Sequence, residues 1–272
     1  MDGREDLRLL KKMDLKNANV FMAFNGWPDA KRVATYAAEY LRDKLRAEKI
    51  GEIDSKPFYD FSIQRPLVSI KKGMMRDFST PINELYGWKS KSSDHDLLVF
   101  IGVEPNTNWS RYSELIFQAM DLEEVNRICL FGGLVDSIPH TVEPLISGVA
   151  NTQELVEEMR IHGIEPADYS GPSSIHSLIM RESEKKEIPA ISIWGHAPQY
   201  VGDIDPRTAH QLLHKAKALM GIEIDLEELR MEGSLFQKQL GSLMKQDSAF
   251  SQLVHSLEIE YKNSKRSPDY LA

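Results

Sequence analysis

The sequence predicts an α/β protein with a mostly parallel central sheet. Strand-like apolar runs alternate with helical patterns along most of the 272 residues. The clearest strands lie at 19–24, 96–103, 128–131 and 190–194. Strands that are joined through helices favour parallel pairing with right-handed crossovers. We therefore expect these four strands to form the core of one sheet.

Composition narrows the class of protein. Apolar residues make up 42 % and charged residues 27 % of the chain, which is typical of a soluble globular protein. No apolar window approaches the roughly 20 residues of a membrane span, and the N-terminus lacks a signal peptide, so we predict a cytoplasmic protein. The net charge of −8 disfavours nucleic-acid and membrane partners. Cys129 is the single cysteine, which excludes an internal disulfide.

The first half of the chain begins with a strand, a turn and a helix. After the strand at 19–24, Asp29 is placed to cap a helix whose apolar residues recur at helical spacing. Short β-like segments are predicted at 50–53, 57–63 and 66–70. The stretch 71–95 is polar and contains Gly and Pro, so we expect an exposed excursion there.

The most apolar strand, 128–131, is followed by a predicted turn and loop. Gly132 and Gly133 are expected to turn the backbone, and Pro139 and Pro144 prevent regular structure for long. Later helices are predicted from a capping-box spacing at Asn151 and Glu154, from apolar residues after position 175, and from an Asp-Pro cap at 205–206.

The C-terminal part changes character. From Asp225 onwards, Leu and Phe residues follow a seven-residue spacing, with Gly233 in one slot, and a second helix is expected from Asp247. Packing on the body of the same chain or on a partner chain would both explain this stripe. We divide the chain into a core domain (1–221), a helical extension (222–262) and a flexible tail (263–272).

Several turns should meet at one sheet edge, because the carboxyl ends of parallel strands lie together. These turns would form a candidate cleft. Its polar residues would be Asp29, Glu104, Asp136, His140, Thr141, His196 and Tyr200. A carboxylate beside a histidine suits general acid–base chemistry. The same residues also suit helix caps and turns. No nucleotide-binding loop or nucleophile elbow is present, and we predict neither a cofactor nor a metal.

Five short motifs, read in order, resemble the proteasome assembly chaperone family, in the branch named for its second eukaryotic subunit. They are Gly-Trp-Pro-Asp-Ala at 26–30, Gly-Val-Glu-Pro at 102–105 with Trp109, Gly-Gly-Leu at 132–134 before Pro-His-Thr at 139–141, Tyr-Ser-Gly-Pro at 169–172, and Ser-Ile-Trp at 192–194 with Pro198 and Tyr200. The resemblance covers about 19–261. It implies a three-layer α/β/α sandwich of the phosphorylase/hydrolase-like kind, in homo-oligomers that are often trimers.

The resemblance also implies a function. It favours a non-enzymatic protein that binds the proteasome core particle or its α subunits, and some archaeal relatives dock a C-terminal hydrophobic-Tyr-any tripeptide. The corresponding candidate tail here is Tyr270, Leu271 and Ala272, with the tyrosine third from the end and Asp269 before it. Two alternatives stay open. The first alternative to proteasome binding is an enzyme or small-molecule binder, since some members carry carboxylate-amine ligase labels. The second is a scaffold with neither role.

Overall fold

A mixed sheet forms the centre of the protein, whose computed structural model describes residues 6–91, 94–120 and 125–264. Within these residues the strands are β1 (Leu7–Leu9), β2 (Ala18–Asn25), β3 (Glu48–Ile53), β4 (Leu67–Lys71), β5 (Met74–Ser79), β6 (Glu84–Trp88), β7 (Leu97–Val103), β8 (Val125–Asp136), β9 (Ile146–Ala150), β10 (Glu165–Pro166) and β11 (Ala190–Pro198). Nine of them form the main sheet in the order β1-β3-β6-β7-β2-β8-β11-β9-β10. Strands β4 and β5 form a separate hairpin.

The four strands that were clearest in the sequence lie side by side. β7, β2, β8 and β11 pair in parallel, which confirms the predicted parallel core. On one side β6, β3 and β1 extend the sheet by antiparallel pairing, and on the other side β9 pairs antiparallel with β11. The sheet is therefore mixed, with a parallel centre.

Helices cover both faces of this sheet. They are α1 (Val33–Leu45), α2 (Trp109–Ala119), α3 (Gln153–Ile161), α4 (Ile175–Lys185), α5 (Pro206–Leu219), α6 (Glu227–Gln246) and α7 (Ser248–Ser264). A short 3-10 turn, Ala30–Arg32, precedes α1. None of the helices in the described ranges is long and apolar enough to cross a membrane.

Alternating residues of β2 supply two separate cores. Phe21 and Ala23 belong to a core that also contains apolar residues of α1, α3 and α5. Val20, Met22 and Phe24 belong to a second core that contains apolar residues of α2 and α4. Because both faces of the strand are buried, its sequence is apolar without interruption. The result is the predicted three-layer α/β/α arrangement.

The pair Gly132 and Gly133 does not turn the chain, so this prediction was wrong. β8 continues through both glycines to Asp136. A Cβ atom at Gly132 would lie 2.4 Å from the Trp194 ring, and one at Gly133 would lie 2.8 Å from the carbonyl oxygen of Ala30. The glycines are needed for close packing on the two faces of the strand.

The segment between β3 and β7 differs from its prediction in two places. Residues 57–63 form turns instead of a strand, and they bury Phe58 and Tyr59 in the second core. The described residues of the stretch 71–95, which exclude 92 and 93, are only partly an exposed excursion. Its β5 strand is exposed, but β6 pairs with β7 in the main sheet and buries Leu85 and Gly87 on one face.

Two features near β9 were also missed or misplaced. β9 was not predicted, and it lies between β11 and β10. Thr152, and not Asn151, caps α3 by accepting a hydrogen bond from the backbone N–H of Leu155. The Asn151 side chain instead connects the chain to β11, by accepting from the Ala190 N–H and donating to the Ile188 carbonyl.

The two C-terminal helices pack on the body of the same chain. Leu229, Gly233 and Leu240 form the buried stripe of α6, and a Cβ atom at Gly233 would lie 3.0 Å from Cα of Arg207. Val254 and Leu257 are buried on α7. These three α6 residues of the seven-residue stripe therefore pack within the chain, whereas Leu243 of the same stripe is 49 % exposed.

Candidate functional site

The candidate residues all lie in or after strands at the carboxyl edge of the parallel core. Loops that follow β2, β7, β8 and β11 leave the sheet at the same edge, because these strands are parallel. The side chains nevertheless form three groups with different partners instead of one shared cluster.

Asp29 and Glu104 bind helix N-termini. Asp29 Oδ1 accepts hydrogen bonds from the backbone N–H groups of Ala34 (2.8 Å) and Thr35 (3.0 Å), so its side chain binds the first turn of α1, although the N-cap position of α1 is Arg32 and not Asp29 as predicted. Burial raises its pKa to about 6. Glu104 Oε1 accepts from the N–H of Ile175 (2.9 Å) at the start of α4, and burial raises its pKa.

His140, Thr141 and Tyr200 form a second group, which the C-terminal helix covers. The Tyr200 hydroxyl lies 2.8 Å from His140 Nδ1 and accepts from the His140 backbone N–H. The Phe250 ring of α7 lies parallel to the His140 ring at 6.2 Å, and Thr141 donates to Glu258. Burial lowers the pKa of His140, which keeps its ring neutral at physiological pH.

The third group joins three neighbouring strands of the sheet. His196 of β11 lies with Nδ1 2.8 Å from Oδ2 of Asp136 at the end of β8, which is the carboxylate–histidine pairing expected at this edge. Its Nε2 lies 2.7 Å from Oγ of Ser147 on β9. The hydrogen bond with His196 lowers the pKa of Asp136. A carboxylate, an imidazole and a hydroxyl are therefore connected in series.

Sequence reasoning missed Ser147 because β9 itself was missed. The signal was present as one hydroxyl residue inside the apolar run Leu-Ile-Ser-Gly-Val-Ala at 145–150. Ser147 is the register partner of Trp194, so its side chain lies on the sheet face that carries Trp194 and His196.

An aromatic group borders this third group. The Trp194 ring packs against the ring of Trp27, a residue that is 59 % exposed, and also against the ring of His176. His176 Nδ1 lies 3.0 Å from the Ser192 hydroxyl, and burial lowers the pKa of His176 to about 3. The face therefore offers exposed apolar surface beside polar groups.

The described residues contain no group of three or more His, Cys, Asp or Glu side chains arranged to hold a metal ion. The candidate tail, Tyr270, Leu271 and Ala272, lies outside the described residues. Ligand binding by the candidate cleft residues Asp29, Glu104, His140, Thr141 and Tyr200 stays a prediction.

Comparison with known proteins identifies the family of the chain. The solved structure of the Mycobacterium tuberculosis proteasome-assembly chaperone homologue Rv2125 is 26 % identical, with a TM-score of 0.78, over 87 % of this chain and 99 % of that chain. A PAC2 family protein from Streptomyces avermitilis is 27 % identical, with a TM-score of 0.76 and the same coverage. Pyrococcus furiosus PbaB, an archaeal proteasome activator, shares the fold at 20 % identity, with a TM-score of 0.68, over 87 % of this chain and 97 % of that chain.

These findings confirm the family that was predicted from the five short motifs. The sequence model of the PAC2 family matches residues 23–244, which includes β7, β8 and β11 of the parallel core and the last three residues of β2. The chain belongs to the PAC2 family.

Proposed function

We propose that this protein is a proteasome assembly chaperone-like protein that binds the proteasome core particle through its α subunits. The observation that carries the proposal is membership of the PAC2 family, together with the likeness to the Mycobacterium tuberculosis proteasome-assembly chaperone homologue along 87 % of the chain. The proposal places the chain in the cytoplasm, as the sequence analysis predicts.

The contacts of Asp29, Glu104, His140 and Thr141 support a binding role for these four residues over a catalytic one. Asp29 and Glu104 are engaged with helix N-termini, and the His140 backbone and ring are engaged with Tyr200. Thr141 is engaged with Glu258. These side chains therefore hold the loops in one conformation, which suits a rigid surface for a protein partner.

Cosedimentation with the proteasome core particle from the same source tests this function. The full-length chain is expected to sediment with the core particle or with free α subunits. A chain that ends at Ser267 lacks Tyr270, Leu271 and Ala272 and measures the part played by the tail. Loss of binding on truncation assigns docking to the tail, and retained binding assigns it to the folded body. Failure of the full-length chain to bind both the core particle and the free α subunits would contradict the proposal.

We further propose that the protein is a homo-oligomer, with the β4–β5 hairpin covered by a second copy of the chain. The hairpin exposes more than half of six large apolar side chains: Leu67, Val68, Ile70, Met74, Met75 and Phe78. An isolated two-stranded hairpin is marginally stable in water, and exposed apolar patches mark protein contacts. A second copy of the chain is always available to cover it, unlike a transient partner. The resemblance to the family implies a trimer.

Light scattering during size exclusion measures this assembly. The native protein should have a multiple of the chain mass of 31.0 kDa. Ile70 and Met75 are register partners, so the double change Ile70→Lys and Met75→Glu places opposite charges across the hairpin, preserves strand pairing and removes apolar surface. We expect this variant to be a monomer. Ile161→Lys, at a side chain that is 82 % exposed on α3, is the control and should leave the mass unchanged. A monomeric native protein would refute the assembly.

A further inference from the structure

Ser147, His196 and Asp136 have the connectivity of a nucleophile, a general base and an orienting carboxylate. The Ser147 hydroxyl lies 2.7 Å from His196 Nε2, and His196 Nδ1 lies 2.8 Å from Asp136 Oδ2. Both distances lie within the reach that proton transfer from a serine requires, and the two ring nitrogens serve different partners. The three residues come from β9, β11 and β8, which are adjacent in the rigid sheet.

The proton positions follow from the partners. The pKa of Asp136 is lowered, so its carboxylate is ionised at neutral pH and accepts the Nδ1–H of His196. His196 Nε2 then carries the lone pair that accepts the Ser147 O–H. A second serine–histidine pair, Ser192 and His176, differs from this arrangement. It is buried, and its His176 Nε2 has no hydrogen-bond partner.

Ser147 itself is only 9 % exposed, whereas the Asp136–His196 end of this series reaches solvent. The side chain of Asp136 is 40 % exposed and that of His196 is 13 % exposed. Val149, two residues beyond Ser147 and on the same face of β9, is 40 % exposed. Trp194, directly opposite Ser147, continues the apolar surface towards exposed Trp27.

We propose that Ser147, His196 and Asp136 form a hydrolytic site for carboxylic esters that carry an apolar or aromatic group. Ser147 Oγ attacks the carbonyl carbon while His196 Nε2 takes the hydroxyl proton. The tetrahedral adduct collapses, the C–O bond to the alcohol breaks, and His196 returns the proton to the leaving alcohol. Water, deprotonated by the same nitrogen, then cleaves the acyl-serine, releasing the carboxylic acid and restoring the Ser147 hydroxyl. This site is independent of proteasome binding.

Labelling of the full-length protein with a fluorophosphonate probe tests the site. Such a probe forms a Ser Oγ–P bond with loss of fluoride when a base activates the serine. We expect one adduct, located on Ser147 by tandem mass spectrometry, and hydrolysis of p-nitrophenyl butyrate by the same preparation. Folded native protein that carries no adduct on Ser147 overturns the proposal, whatever the result of proteasome cosedimentation.

Variants test whether His196 and Asp136 activate the serine that the probe labels. Ser147→Ala should abolish labelling, and His196→Gln and Asp136→Asn should each slow it by about 100-fold or more. Ser137→Ala is the matched control: Ser137 is exposed and gives Asp136 a backbone N–H, which the alanine retains, so labelling should proceed at the native rate. If an adduct on Ser147 forms at the native rate in both Asp136→Asn and His196→Gln, then His196 and Asp136 do not activate the serine and the proposal is overturned. Circular dichroism establishes that each variant is folded.

Discussion

Replacement of Asp29 by asparagine should stabilise the protein at neutral pH. The residue is 6 % exposed, and burial raises its pKa to about 6, compared with 3.8 for a solvated aspartate. A raised pKa means that the folded state binds the proton more tightly than the unfolded state. The corresponding contribution to the free energy of unfolding is complete below about pH 4 and is lost as the pH rises through about 6. At 1.36 kcal/mol per pKa unit, the loss is about 3 kcal/mol.

The asparagine side chain can keep the contacts without the buried charge. Its amide oxygen can accept from the N–H groups of Ala34 and Thr35, and its amide nitrogen can donate to the Thr35 hydroxyl. We expect Asp29→Asn to raise the free energy of unfolding by up to about 3 kcal/mol at pH 7.5 and to have little effect at pH 4. Urea titrations followed by tryptophan fluorescence measure both values. A variant that is less stable than the native protein at pH 7.5, or an effect of equal size at both pH values, would refute this reasoning.

Glu154→Gln is a control variant, for which the expected change in stability at neutral pH has the opposite sign. Glu154 lies exposed in the first turn of α3, where a backbone hydrogen bond and the Thr152 side chain lower its pKa. A group whose pKa is lowered by folding stabilises the folded state at pH values above its pKa in the unfolded chain. This stabilisation is lost as the pH falls through the pKa of the group in the folded protein. Glu154→Gln should therefore decrease stability slightly at neutral pH and not at low pH. An increase at neutral pH would show that removal of any acidic residue stabilises the chain.

Two further changes test the packing around the strand ends. Gly133→Ala places a Cβ atom 2.8 Å from the Ala30 carbonyl and should lower the free energy of unfolding by about 2 kcal/mol. The control is Gly241→Ala, in open space on α6, which should raise the free energy of unfolding by about 0.5 to 1 kcal/mol. Equal effects of the two variants in urea titrations would exclude the close approach as the cause. Phe250→Ala removes the ring that lies over His140 and should accelerate amide hydrogen exchange throughout α7 but not in β2. Unchanged exchange in α7 would show that this ring does not hold the helix.

The parallel core could be predicted because burial on both faces removes polar residues from a strand. This is visible at 19–24 and 128–131 without any knowledge of neighbouring strands. β6 and β9 are only five residues long, and Glu84 in β6 and Ser147 in β9 interrupt their apolar pattern. The role of Gly132 and Gly133 was misjudged because glycine serves both turns and close approach. The distinction depends on Trp194, which is distant in sequence.

The arrangement of polar groups at the sheet edge depends on strand order, which residue patterns do not encode. Asp136 and His196 were expected at one edge, since each lies near the end of an apolar strand, and parallel pairing of β8 and β11 brings them into contact. Ser147 joins them only because β9 reverses direction and pairs with β11. His140 is likewise covered by Phe250, more than 100 residues later in the chain. The same edge therefore contains a group closed by the C-terminal helix and a group that reaches solvent. In the second group a serine hydroxyl, an imidazole and an ionised carboxylate are connected in series, so the search for chemistry in this protein should begin at Ser147.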